Sequence, residues 1–215
     1  GPLLALFLLW AAGRLALLAI EWIGLVPAMV VDSLFLIVFA LAVSREIVAG
    51  RNWRNIKTVG LIAILAAANI GFHAEVYLTG TPNYALRAMI AAIIGLIMLV
   101  GGRIVPSFTR NWLVRQGAGQ LPASFDRFDA TSIVVCGVAL VLWAAAPVYF
   151  LSGIALLGAG LLQIVRLSRW AGLSTWREPL VLVLHLGYAF VALGFLLVGL
   201  SVSWPDAMPA SGALH

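Results

Sequence analysis

The chain has 215 residues, of which 63% are hydrophobic and 10% charged, with a formal net charge of +5 and a mean hydropathy of +1.09. A water-soluble domain carries roughly 25% charged residues, so the composition excludes water as the main solvent and predicts an all-α, polytopic transmembrane helical bundle. The one cysteine, Cys136, excludes an internal disulfide and any Cys-rich zinc site.

Apolar runs of about 18 residues or more, bounded by charge, Pro and Gly, mark membrane helices. They predict seven spans in a single transmembrane domain, 1–215, at about 2–20, 23–43, 57–78, 84–105, 130–146, 148–167 and 179–202. The chain opens directly on an apolar run, without a starting Met or a charged leader segment, and closes on SGALH. Those ends are expected of a piece of a longer membrane protein. Between the fifth and sixth spans, WAAAPVYF (143–150) reads as a short turn at Pro147, because 130–167 is too long for one helix crossing about 30 Å of hydrocarbon.

The loops carry the orientation. Arg45, Arg51, Arg54 and Lys57 follow the second span, Arg103, Arg110, Arg115 and Arg127 the fourth, and Arg166, Arg169 and Arg177 the sixth. These are eleven of the thirteen basic residues, and the alternate loops hold only Glu21, Glu75 and Asp206. Basic residues stay on the cytoplasmic side, so the expected setting is a cytoplasmic membrane with the Arg-rich loops inside. The positive charge is then a topogenic signal with some attraction to lipid headgroups, and not a nucleic-acid surface.

Arg14, Asp32 and Arg87 are the charges that fall inside spans. Each costs on the order of 3 kcal/mol at a helix centre, which calls for a partner or a polar cavity. With Asn69 and His73, they converge in height on the outer half of the bilayer. Asn69, His73 and Tyr77 share one helix face at i, i+4 spacing, while Glu75 points toward external water. The set reads as one polar pocket near the outer surface. The plainer alternative is an Arg14–Asp32 pair, a snorkelling Arg87 and a satisfied core histidine. In the inner half, His185 and Cys136 each lie about six residues into their spans, a depth at which they offer soft-metal ligands such as Cu(I) takes. A rise of 1.5 Å per residue separates His73 from His185 by about 15 Å, too far to share one metal. His215 is the better partner in height for His73.

The segment GGRIVPSFTRNWL (101–113) closes the fourth span. Gly101 and Gly102 allow a close approach or a non-helical exit, Pro106 stops regular hydrogen bonding, and Arg110-Asn111-Trp112 anchors an interfacial turn. Together with LFLLWAAGRLA, REIVAGRNWRN, AANIGFH and HLGYAFVALGFLLVGLS, this segment resembles the NnrS family over essentially the whole chain. The resemblance implies an internal stretch of a bacterial inner-membrane fold of about twelve spans, containing haem and copper and linked to nitric oxide stress and denitrification. It implies His73, His185 and His215 as ligand candidates for metal or haem, with Asn69 beside them, and Arg14 and Arg87 as partners of haem propionates. Nitric oxide is the small molecule it points to, with turnover, binding and sensing all open. Two rivals stand beside it: a transporter whose buried charges line a substrate path, and an assembly or structural subunit.

Overall fold

In a computed structural model, residues 1–117 and 120–206 are described, and among them every regular element is a helix. The chain runs α1 (Pro2–Leu18), a single turn α2 (Ile20–Ile23), α3 (Leu25–Ala49), α4 (Ile56–Thr79), α5 (Tyr84–Arg115), α6 (Arg127–Ala145), α7 (Phe150–Ser168) and α8 (Pro179–Ser203), with 3-10 turns at Trp53–Asn55 and Gly172–Thr175. Six of these helices, α3 to α8, are long and apolar enough to cross a membrane, and α1 is apolar but shorter at 17 residues. The protein is a multi-pass helical membrane protein. Its outward residues are large and apolar, with Trp22, Leu173, Leu180 and Val148 among the most exposed, the inverse of a soluble surface.

The chain divides into two compact units, Gly1–Ile93 and Ile94–His215. In the first, α3 packs between α1 and α4. Gly13 on α1 permits the approach, because a Cβ there would stand 3.0 Å from the Asp32 Cα on α3. α4 ends at Gly80, whose left-handed φ of 79° closes the helix as a residue with a Cβ would not.

In the second unit α7 lies between α6 and α8. The α7–α8 seam is made of small residues. A Cβ at Gly153 would meet Ser203 and the Gly199 carbonyl, one at Gly160 would meet Leu196, and one at Gly199 would meet Leu157. Helices in lipid gain association energy from such backbone proximity, since burial from water drives nothing there. α6 begins with a reciprocal cap: the Asp129 N–H donates to Asp126 Oδ1 at 3.2 Å, and the Asp126 N–H donates to Asp129 Oδ2 at 3.3 Å. Asp126 also accepts from Arg169 at 2.5 Å, and this guanidinium holds its carboxyl below the usual range. The turn at Pro147 separates α6 from α7, and the Ser152 hydroxyl donates across it to the Ala146 carbonyl at 2.7 Å.

One expectation fails in this unit. α5 does not stop at Pro106 but continues helically to Arg115. Proline removes a single N–H donor, to the carbonyl four residues earlier at Gly102, and neighbouring helices make such a loss tolerable inside a membrane. Here the flank is occupied: the Arg166 guanidinium packs against Gly102, and the Tyr188 ring would stand 3.1 Å from a Cβ at Gly101. The two glycines are sockets for side chains of α7 and α8.

Candidate functional site

In the first unit, Asp32 is 3% exposed and forms the centre of a polar cluster. Its Oδ1 pairs with the Arg14 guanidinium, delivered from α1 by the close approach at Gly13. Its Oδ2 accepts from Asn69 Nδ2 at 3.2 Å and contacts His73 Nε2 at 2.9 Å. Asn69 and His73 stand one turn apart on α4, so a single helix face presents both. An ionised carboxylate only accepts, so Nε2 carries the proton and donates it, leaving the lone pair of a neutral imidazole on Nδ1. Asn69 Oδ1 is buried with no partner among the described residues.

His73 also lines a groove of about 330 Å³ with Val26, Met29, Val30, Ser33, Leu34, Ile37, Ile70 and Ala74. The groove is open and almost wholly apolar, and His73 joins it to the buried carboxylate of Asp32. Beside the imidazole, the groove lining is aliphatic apart from Met29 and Ser33.

The other expected members of the outer pocket have their own partners. Arg87 donates to Asn83 Oδ1 at 2.5 Å and lies over the Tyr84 ring at 5.1 Å. Tyr77 is exposed. Glu75 corrects the expectation that it points into water: its carboxylate accepts from the backbone N–H groups of Asn83 at 2.5 Å and Ala85 at 3.1 Å. It thereby caps the start of α5, where unpaired amides and the helix dipole favour a negative charge. His215 lies outside the described residues.

In the second unit, His185 is buried on α8. Its Nδ1 donates to the Val181 carbonyl at 3.0 Å, so that nitrogen carries the proton, and Nε2 faces Thr109 Oγ1 at 3.3 Å. The Thr109 hydroxyl has one hydrogen and a nearer acceptor, the Val105 carbonyl at 2.8 Å. Gly172 sits against the imidazole ring, where a Cβ would clash.

Cys136 belongs to a different network, one that the sequence reading did not find. Arg166 was taken for a loop charge, yet it is 1% exposed in α7. Its Nε donates to Asp129 Oδ1 at 3.0 Å and one terminal nitrogen to the Tyr188 hydroxyl at 2.8 Å and the Met98 carbonyl at 3.3 Å. Tyr188 donates onward to Gln163 Oε1 at 2.8 Å, and Gln163 Nε2 donates to Cys136 Sγ at 3.0 Å. The thiol contacts the Ala159 carbonyl at 3.7 Å. Every donor in this series points the same way, from guanidinium to backbone carbonyl. The signal available in the sequence was spacing: Asp129 and Cys136 share one face of α6, as Gln163 and Arg166 share one face of α7.

No group of three or more His, Cys, Asp or Glu converges as a metal site among the described residues. The buried polar chemistry therefore resolves into an open cluster around Asp32 and His73, and a closed network around Arg166. Compared with known proteins, the chain matches one family model, described as NnrS protein, over residues 1–215. No curated protein and no solved structure matches it.

Proposed function

The chain belongs to the NnrS family, and from that premise we propose that it is a membrane haem/copper protein acting in the nitric oxide response or in denitrification, with His73 as a metal donor. The observation that carries the assignment of His73 is its pairing with Asp32 beside an open apolar groove. Metal-binding histidines generally donate their second ring N–H to a carboxylate or carbonyl, which fixes the ring and raises its basicity. His73 meets that condition through Asp32. His185 meets it through Val181 but is enclosed by Thr109 and Gly172, so it ranks second.

Haem iron needs one or two axial donors from the protein, and the described histidines fit that demand singly. They do not by themselves build a copper cage of several ligands, so the copper part of the reading leans on His215 and on family membership. When bound, haem supplies an iron that takes small diatomic ligands, with distal polarity deciding how they bind. This chain's own residues hold the imidazole by Nε2, balance the buried carboxylate with Arg14, and exclude water from one wall with Met29, Val30 and Ile70. Arg87, near the start of α5 beside Tyr84, remains the second arginine proposed to meet a propionate. The proposed setting is a bacterial inner membrane with the loops bearing Arg51, Arg54 and Lys57 on the cytoplasmic side.

Transport is the weaker reading, because it favours helices broken at mid-membrane, whereas α3, α4, α6, α7 and α8 run without interruption. The optical spectrum and metal content of the purified protein test the proposal. A Soret band with bound copper is expected, and His73→Ala is expected to lower occupancy without affecting membrane insertion. A protein lacking both signals overturns the assignment in favour of transport.

A further inference from the structure

Asp32 does more than neutralise Arg14. Its Oδ2 takes two hydrogen bonds, from Asn69 Nδ2 at 3.2 Å and from His73 Nε2 at 2.9 Å, while Oδ1 faces the Arg14 guanidinium. The arginine keeps the carboxylate in its anionic, acceptor-only state. That state compels His73 to place its ring proton on Nε2. The imidazole is buried and bonded at one end only, so its orientation and tautomer are both set from α3.

We infer that Asp32 is the positioning residue of this site, selecting Nδ1 of His73 as the donor atom offered to a metal. The inference rests on the reading of His73 as a ligand and adds which atom ligates and what fixes it. Two further features fit. Gly13 lets α1 approach until its neighbour Arg14 reaches the carboxylate, at a spacing where an added Cβ would stand 3.0 Å from the Asp32 Cα. Asn69 retains an unmatched carbonyl oxygen although only 7% exposed, so the cluster keeps one acceptor for an incoming hydrogen-bond donor.

The test has two arms on the full chain in lipid. Nitrogen-15 NMR of labelled histidine, without added metal, reports the proton position directly in the unmodified protein. A proton on Nε2 of His73 is expected, and a proton on Nδ1 overturns the inference without any variant having to fold. The second arm titrates Cu(I) alone against a competing chelator. Asp32→Asn is expected to weaken binding about 10- to 100-fold and to mix the two tautomers, with Asp32→Glu recovering part of the loss. If His73→Ala abolishes binding while Asp32→Asn matches the unmodified protein in tautomer and affinity, Asp32 is not the positioning residue, yet His73 stands. If neither substitution changes Cu(I) affinity, His73 is not a copper ligand and the inference falls.

Discussion

Each of the two units buries a carboxylate against an arginine, and the two pairs are built for different ends. Arg166 has 1% of its side chain exposed, whereas the Arg14 side chain is 49% exposed. The bonds of Arg166 lead on through Tyr188 and Gln163 to Cys136, each group donating to the next. Around Asp32 the pattern is incomplete: Asn69 keeps a bare carbonyl, and His73 uses one nitrogen beside an open groove. A buried polar network whose members bond one another in series rigidifies and specifies its surroundings, even though Ser132 Oγ on the same face of α6 has no partner among the described residues. One that stops short keeps bonding capacity for something that arrives later. The contrast fits a structural role for the Arg166 network and the binding role proposed above for the Asp32 cluster.

Substitutions break or sharpen this contrast in a definite order. Arg166→Leu should have the largest effect, about 3–5 kcal/mol, because it removes the nearer cation from buried Asp129 and leaves only Arg169, at 3.7 Å, to balance it. Thermal or denaturant unfolding in lipid measures it, and a loss below about 1 kcal/mol contradicts the structural role. Gly102→Ala comes next, at about 1–3 kcal/mol, since the added methyl overlaps the Arg166 guanidinium and forces it to move. Third, two amide deletions form a matched pair. Gln163→Leu removes the acceptor of a buried tyrosine hydroxyl and should cost about 1–3 kcal/mol. Asn69→Leu loses one hydrogen bond but also removes an unmatched carbonyl, so its cost should be about 1 kcal/mol or less. Equal losses in the two variants would erase the distinction between the units.

The smallest effect concerns the exposed Asp126–Arg169 pair. Arg169 lowers the Asp126 pKa in the folded state from its ordinary 3.8. The carboxylate therefore adds stability that is complete above pH 3.8 and is lost as the pH falls through the lower folded value. Melting curves for the unmodified protein and Arg169→Gln should differ slightly at pH 5 and merge in the acid range below pH 3.8. Solvent screening keeps the gap small. A gap that widens on acidification contradicts the pairing.

The helical fold was legible because length and hydropathy decide it: a run of about 18 apolar residues has few alternatives to spanning a bilayer. Helical periodicity and depth also brought Arg14, Asp32, Asn69, His73 and Arg87 to one height, and the structure joins the first four in one cluster while Arg87 bonds Asn83 instead. Arg166 was misread for a physical reason. A charge near the end of an apolar run looks like a topogenic loop residue, and only a partner 37 positions away, Asp129, turns it inward. Such pairing leaves no local trace. Pro106 misled similarly, since a breaker in water is tolerable where Gly102 meets a guanidinium. For Glu75 the signal was present but unused, an acidic residue poised to cap the helix that begins at Tyr84.

The continuation of α5 past Pro106 has a geometric outcome. At 1.5 Å per residue its 32 residues extend about 48 Å, well beyond a hydrocarbon slab about 30 Å thick. Tilting absorbs part of that surplus. The final turns, with Arg110, Asn111, Trp112 and Arg115, have the basic and aromatic make-up expected of a segment in the layer of phosphates and glycerol esters, where such side chains hold a rod at fixed height. A mooring at these turns would fix the axial height of Thr109, the residue next to Arg110.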